Sequence, residues 1–326
     1  IREERSCCMS PKVSSGAKVK KPVVKGAVKG AAKLADKGAV RGAAKFAGGR
    51  GAGKVAVKGS AKAPGSRARA RRRSDGRSRR GAKKGSAAAT ALESQARVYV
   101  AIDETSIPRV AHLQSQLLPY VGGFSLGPSF LIGHGPDLVR EIFGEVPLLL
   151  DLKLHDIPNM VERSVRRLFR YHPHVITVHA SGGYDMLKAA ASAAQDHAVM
   201  TGIPRPSVIA TTVLTSLSAE DLSATGVKSE VRDQVLRLGE LAWRAGLDGV
   251  MAAPRDVGAL REKFGRRLML FTSGLRSRTG SADDHKRTTT PAEALSAGAD
   301  FLVIGRPLTE ASDPAAAARR LLKSLE

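Results

Sequence analysis

From Val98 onward, short apolar runs alternate with amphipathic segments, and they do so eight times. The runs are VYVAID (98–103), FSLG (124–127), VPLLLDLK (146–153), VITVHA (175–180), SVIATTVL (207–214), GVMAA (249–253), MLFTSG (269–274) and FLVIGR (301–306). Between them lie helical patterns such as NMVERSVRRLFR (159–170) and EVRDQVLRLGELAWRA (230–245). Continuous apolar strands alternating with helices predict a parallel sheet covered on its faces. Eight such units within 91–326 fit a (β/α)8 TIM barrel, which takes about 250 residues. A doubly wound open sheet is the alternative. No Gly-x-Gly-x-x-Gly follows the first strand, which counts against a dinucleotide-binding version of it.

Residues 1–90 do not share this pattern. They hold 26 Lys and Arg against 4 Asp and Glu, a net of +22 out of the chain's +23, so 91–326 carries only +1. Their one aromatic residue is Phe46, and large aliphatics are few. Such a segment cannot bury enough apolar surface to offset its ordering entropy. The expected organisation is a disordered basic N-terminal extension (1–90) ahead of a barrel domain (91–326). The extension repeats itself, KGAVKGAAKLAD (25–36) then KGAVRGAAKFAG (37–48), and turns arginine-dense from Arg67 to Arg80. Five glycines in the repeat oppose a stable helix, each costing up to about 1 kcal/mol relative to Ala. Residues 12–84 read as a polyanion-binding arm for nonspecific, salt-dependent association with nucleic acid. A single aromatic gives no stacking platform for single-stranded bases. A solvated extension without a partner and an organellar targeting segment stay open. Gly85 to Thr90, small and uncharged, read as the linker.

Cys7 and Cys8 are the only cysteines, adjacent and outside the barrel. That excludes a disulfide framework and argues against a Cys-based zinc site. No His-x-x-Glu-His pattern surrounds the histidines, so no metal is expected. A reducing, cytoplasmic location is expected. No run of about 18 apolar residues exists, so no membrane span is predicted. The N-terminus lacks a secretory h-region, and Met9 is a candidate start.

In a barrel of this kind chemistry sits at the C-terminal ends of the strands. Asp103, Asp151, Lys153, His179, Arg276 and Arg306 all fall there. The densest stretch is Asp151-Leu-Lys153-Leu-His-Asp156-Ile-Pro-Asn159. Two residues apart on a strand is one face, so Asp151 and Lys153 should project together, with Asp156 just past the strand end. A lysine among carboxylates would stay protonated and able to donate a proton. A structural ion-pair network fits the same spacing equally well. The second anchor is Gly305-Arg306 at the last strand. Glycine lets a phosphate approach the backbone, and arginine adds a bidentate charge. Arg276 could reach the same anion. Rim arginines without a ligand fit as well.

These residues resemble the orotidine 5'-phosphate decarboxylase family. DLKLHDIPN is similar to its Asp-x-Lys-x-x-Asp-Ile-Pro-Asn-Thr signature. VAID (100–103), VHASGG (178–183), TVLTS (212–216), GLDGV (246–250), SGLR (273–276) and TPAEALSAGADFLVIGRPLT (290–309) resemble their counterparts in order. The resemblance implies conversion of orotidine 5'-monophosphate to UMP and carbon dioxide, with no metal and no organic cofactor. It implies Lys153 as the proton donor to C6 and Asp151 as the residue that holds it beside the substrate carboxylate. It further implies a homodimer in which Asp156 is lent to the neighbouring subunit's site. By the same resemblance Asp103 would bind ribose hydroxyls, Thr215 the pyrimidine, and Arg276, Gly305 and Arg306 the phosphate.

Four positions depart from the family pattern. Ser125 stands for a lysine that links the ribose to the carboxylates. His285 stands for a phosphate-binding glutamine, Met160 for the threonine of the signature, and Ser273 for a proline. Losing a charged partner from a dry site costs about 2–5 kcal/mol. A slowed enzyme is therefore one expectation. A non-catalytic barrel that still binds a nucleotide or sugar phosphate is another, and a nucleic-acid-binding protein with a passenger barrel is a third.

Overall fold

The computed structural model describes residues 92–275 and 289–325. The expected basic extension (1–90), Arg276 and His285 lie outside the described residues. Eight parallel strands close on themselves in chain order. They are β1 (Val98–Ile102), β2 (Gly123–Leu126), β3 (Leu148–Leu154), β4 (Val175–His179), β5 (Ser207–Thr211), β6 (Gly249–Ala252), β7 (Met269–Ser273) and β8 (Phe301–Ile304). A helix follows each strand, including Ile107–Leu117 after β1, Pro158–Leu168 after β3, Gly183–Thr201 after β4 and Val231–Arg244 after β5. The barrel is thus closed, and the open-sheet alternative is set aside.

Alternation along each strand sorts the apolar residues into two cores. Val98, Val100 and Ile102 of β1 point outward and pack under the helices. Tyr99, Leu149, Val175, Ile209, Met251, Phe271 and Val303 point inward and fill the barrel, with Ala101, Met269 and Phe301 at their edges. Burying each such aliphatic side chain contributes about 1.5–3 kcal/mol. Tyr99, Phe271 and Phe301 pack against one another, the last two stacked at 4.5 Å. Burial pushes the Tyr99 phenol up to about 12.

Gly123 and Gly249 make room for this packing on opposite walls, in β2 and β6. A Cβ on Gly123 would collide with the Pro147 carbonyl and lie 2.6 Å from the Tyr99 ring. One on Gly249 would collide with the Met269 carbonyl.

The charged residues at the strand N-terminal ends are paired. Arg261 bonds Asp300 at 2.5 Å. Arg97 donates to the carbonyls of Ala299 and Asp300. Arg205 grips both oxygens of Asp248, at 3.0 and 2.9 Å. These pairs brace the bottom of the barrel.

Several strands end sooner than the apolar runs do. β1 stops at Ile102, β5 at Thr211 and β8 at Ile304. Asp103, Thr215 and Gly305 therefore stand in the loops just beyond, and Arg306 opens the short helix Arg306–Thr309. Asp151 and Lys153 lie within β3, and His179 is the last residue of β4.

Candidate active site

At the C-terminal mouth the central feature is β3. Lys153 Nζ donates to Asp151 Oδ2 at 2.7 Å, the pairing that the two-residue spacing predicts. The pair is half-sheltered, with 34% of the lysine and 19% of the aspartate side chain exposed, so a ligand at the mouth can reach it. The route to this contact is not a regular strand. β3 pairs with β4 as Leu150↔Ile176 and then as Leu154↔Val178, a bulge that gives β3 two extra residues. Lys153 itself has φ +48, in the left-handed region.

Asp156 does not join the pair. It lies exposed in the turn past β3, and its Oδ1 accepts the Ile157 N–H at 2.7 Å. So two of the three charges in the stretch meet, because the strand ends at Leu154 and the chain turns away before Asp156. Ile157 and Met160 beside it are large apolar side chains at 64% and 41% exposure.

The other predicted residues ring the same mouth. Asp103 faces Gly305 across β1 and β8, and a Cβ on Gly305 would lie 3.7 Å from Asp103 Oδ2. Thr215 faces Gly274, whose added Cβ would lie 3.8 Å from Thr215 Cγ2. Asp103 and Thr215 are exposed and hydrogen-bond through their side chains to no described residue. Arg306 is exposed one residue after Gly305. Ser125 is 2% exposed and sits in register between Ala101 and Leu149, on the inward face.

Reasoning from sequence missed Thr177. It is wholly buried on β4, accepts the Lys153 backbone N–H at 2.8 Å and donates to Asp151 Oδ1 at 3.0 Å. It lies two residues before His179 on the inward face, and that parity was the signal available. His179 also joins the mouth. Its ring stacks on His155 at 5.3 Å, and its Nδ1 lies 2.7 Å from Ser181 Oγ. Burial, with the neighbouring His155 and Lys153 charges, holds its pKa below the usual histidine value. That favours the uncharged ring beside the Lys153 ammonium.

Fold and mouth together define a barrel enzyme with a carboxylate-held lysine in its third strand. Within that class, residues 96–321 match the family model described as Orotidine 5'-phosphate decarboxylase / HUMPS family, and the chain belongs to that family. Among curated relatives, the orotidine 5'-phosphate decarboxylase of Rhodospirillum rubrum is 46% identical over 228 residues, covering 69% of this chain and 92% of the relative. That of Moorella thermoacetica is 43% identical, covering 72% and 94%. Among solved structures, the orotidine 5'-phosphate decarboxylase of Lactobacillus acidophilus superposes with a TM-score of 0.60 at 30% identity, covering 70% of this chain and 98% of that one.

Proposed function

We propose that this chain decarboxylates orotidine 5'-monophosphate to UMP and carbon dioxide, the carboxy-lyase step of pyrimidine biosynthesis, in the cytoplasm. The observation that carries the reading is the 2.7 Å Lys153–Asp151 pair at the barrel mouth, set within DLKLHDIPN. The bond from C6 to the carboxylate breaks, its electron pair stays on C6, and Lys153 Nζ delivers a proton there. The ammonium charge stabilises the carbanion as it develops. Asp151 holds the ammonium in place beside the departing carboxylate. The reaction as written needs no metal and no organic cofactor.

Around this centre, Asp103 takes the ribose hydroxyls and Thr215 the pyrimidine. Arg276, Gly305 and Arg306 take the phosphate, whose binding energy is directed to the reacting carbon. The facing of Asp103 and Gly305 supports a ribose phosphate laid across β1 and β8. Asp156 serves the neighbouring subunit of a homodimer. The exposed Ile157 and Met160 beside it support that placement, because a partner would cover them. The test is product analysis: the purified full chain should convert orotidine 5'-monophosphate into equimolar UMP and carbon dioxide. Folded protein that yields neither would refute the reading.

One observation favours a second reading. Ser125 brings a short hydroxyl where the family pattern has a cation, and it is buried. A barrel weakened in turnover that still holds a nucleotide or sugar phosphate follows from it. Calorimetry separates the two, since tight UMP binding without turnover supports only the second.

The basic extension binds nucleic acid independently of the barrel. Its +22 charge supports this, by counterion release from phosphates. Full chain and residues 91–326 should differ in affinity for duplex DNA at low salt and converge at high salt. Equal binding at both salt concentrations would contradict a role for the extension.

A further inference from the structure

We propose that Thr177 is a positioning residue for Lys153, setting where the ammonium stands at the barrel mouth. The inference rests on the decarboxylase reading of the same site and adds to it a residue outside the family signature. Lys153 is one of two non-glycine residues with positive φ among the described residues, the other being His172. A left-handed lysine in a strand is unfavourable unless its surroundings fix it.

The bulge in β3 supplies the conformation but removes a ladder bond. With Leu150 opposite Ile176 and Leu154 opposite Val178, Thr177 alone faces the three residues between. The Lys153 N–H, turned inward by its φ, finds the Thr177 hydroxyl at 2.8 Å. That hydroxyl donates its own hydrogen bond to Asp151 Oδ1 at 3.0 Å, and Asp151 Oδ2 accepts from Lys153 Nζ at 2.7 Å. The three bonds close a ring: lysine backbone, threonine, aspartate, lysine ammonium. Both ends of Lys153 are therefore tied to one buried oxygen or its immediate partner.

The ring needs a group that accepts one hydrogen bond and donates another from a β-branched or smaller side chain. Among neutral side chains of this size a serine or threonine hydroxyl does so strongly, and a cysteine thiol only weakly. Threonine also fits the strand and is fully excluded from water. Thr177 reaches the chemistry only through Lys153 and Asp151.

The experiment compares Thr177→Val, which keeps the shape and deletes both bonds, with Thr177→Ser, which keeps both bonds. Displacing a reacting group by about 1 Å costs about 100-fold, so Thr177→Val should lower kcat about 100-fold while KM and UMP affinity stay within about threefold. Thr177→Ser should keep kcat within about threefold of the parent. Backbone amide exchange at Lys153, read by NMR, should be slow in the parent and at least about tenfold faster in Thr177→Val.

Unchanged kcat in Thr177→Val overturns the proposal. So does a loss equal in both variants, or one confined to KM, since each would reflect packing alone. If Thr177→Val does not fold, Thr177→Ser activity and parent amide protection decide, and an unprotected Lys153 amide overturns the proposal. If the parent turns nothing over, the decarboxylase reading fails, and the exchange rates alone judge the positioning.

Discussion

Ser125 and Thr211 are two inward-facing hydroxyls at which the site and the fold make opposite demands. Ser125 lies level with Ala101 and Leu149, and Asp103 and Asp151 follow those residues on the same inward face. A lysine grown from position 125 would rise between two carboxylates, of which only Asp151 now holds an ammonium. Ser125→Lys is predicted to raise kcat about tenfold or more, consistent with a charge contact of about 2–5 kcal/mol in a sheltered site. Steady-state kinetics would check it, and an unchanged or lower kcat in a folded variant would contradict it. Thr211 is different in kind. It is 4% exposed, and its Oγ1 is the one fully buried side-chain polar atom without a partner among the described residues. An unsatisfied buried hydroxyl costs about 1–3 kcal/mol. Thr211→Val is therefore predicted to stabilise the barrel by about 1 kcal/mol, seen as a higher urea midpoint at unchanged slope. A lower midpoint would show that the hydroxyl has a partner inside the barrel.

At the scale of elements, β2 yields space to Tyr99 and β6 to Met269 as the barrel floor fills. Gly123→Ala would drive a methyl group into the Pro147 carbonyl and the Tyr99 ring. A cost of about 1–3 kcal/mol is expected from such overpacking. Thermal or denaturant unfolding would measure it, and a neutral result would mean that β2 can shift outward. The strands were legible in sequence because most read as short, nearly continuous apolar runs, as a covered parallel sheet requires. Their ends were less legible. Thr212 reads as a strand residue, yet its N–H and hydroxyl both go to the Met251 carbonyl as the chain leaves the sheet. The Asp151–Lys153 pairing followed from period-two spacing. The bulge beneath it did not, because nothing in DLKLHDIPN signals that Lys153 takes a left-handed φ. Asp156 was legible as lying past the strand end, whereas its turn away from Lys153 depends on the local bond to the Ile157 N–H. Thr177 carried no charge to draw notice; its parity with His179 placed it on the inward face, but the closed ring of bonds exists only in three dimensions.

Over the whole molecule, charge is divided by place and purpose. The bottom of the barrel spends its ions in pairs such as Arg261–Asp300 and Arg205–Asp248, which hold strand ends together. The mouth keeps Asp103 and Arg306 exposed, beside the one tight Lys153–Asp151 pair. The net charge of +23 belongs almost wholly to residues 1–90, so it bears on the proposed polyanion binding, while residues 91–326 carry only +1. Removing the extension should thus change the salt dependence of DNA binding and leave turnover per barrel as it was. The most direct measurement is the fall in absorbance of orotidine 5'-monophosphate with the purified full chain and with its Lys153→Ala variant. The account predicts turnover by the parent and a loss of about 100-fold to 10,000-fold in the variant, the range for removing a proton donor. Equal rates in the two, or none above the uncatalysed background in a folded parent, would contradict it.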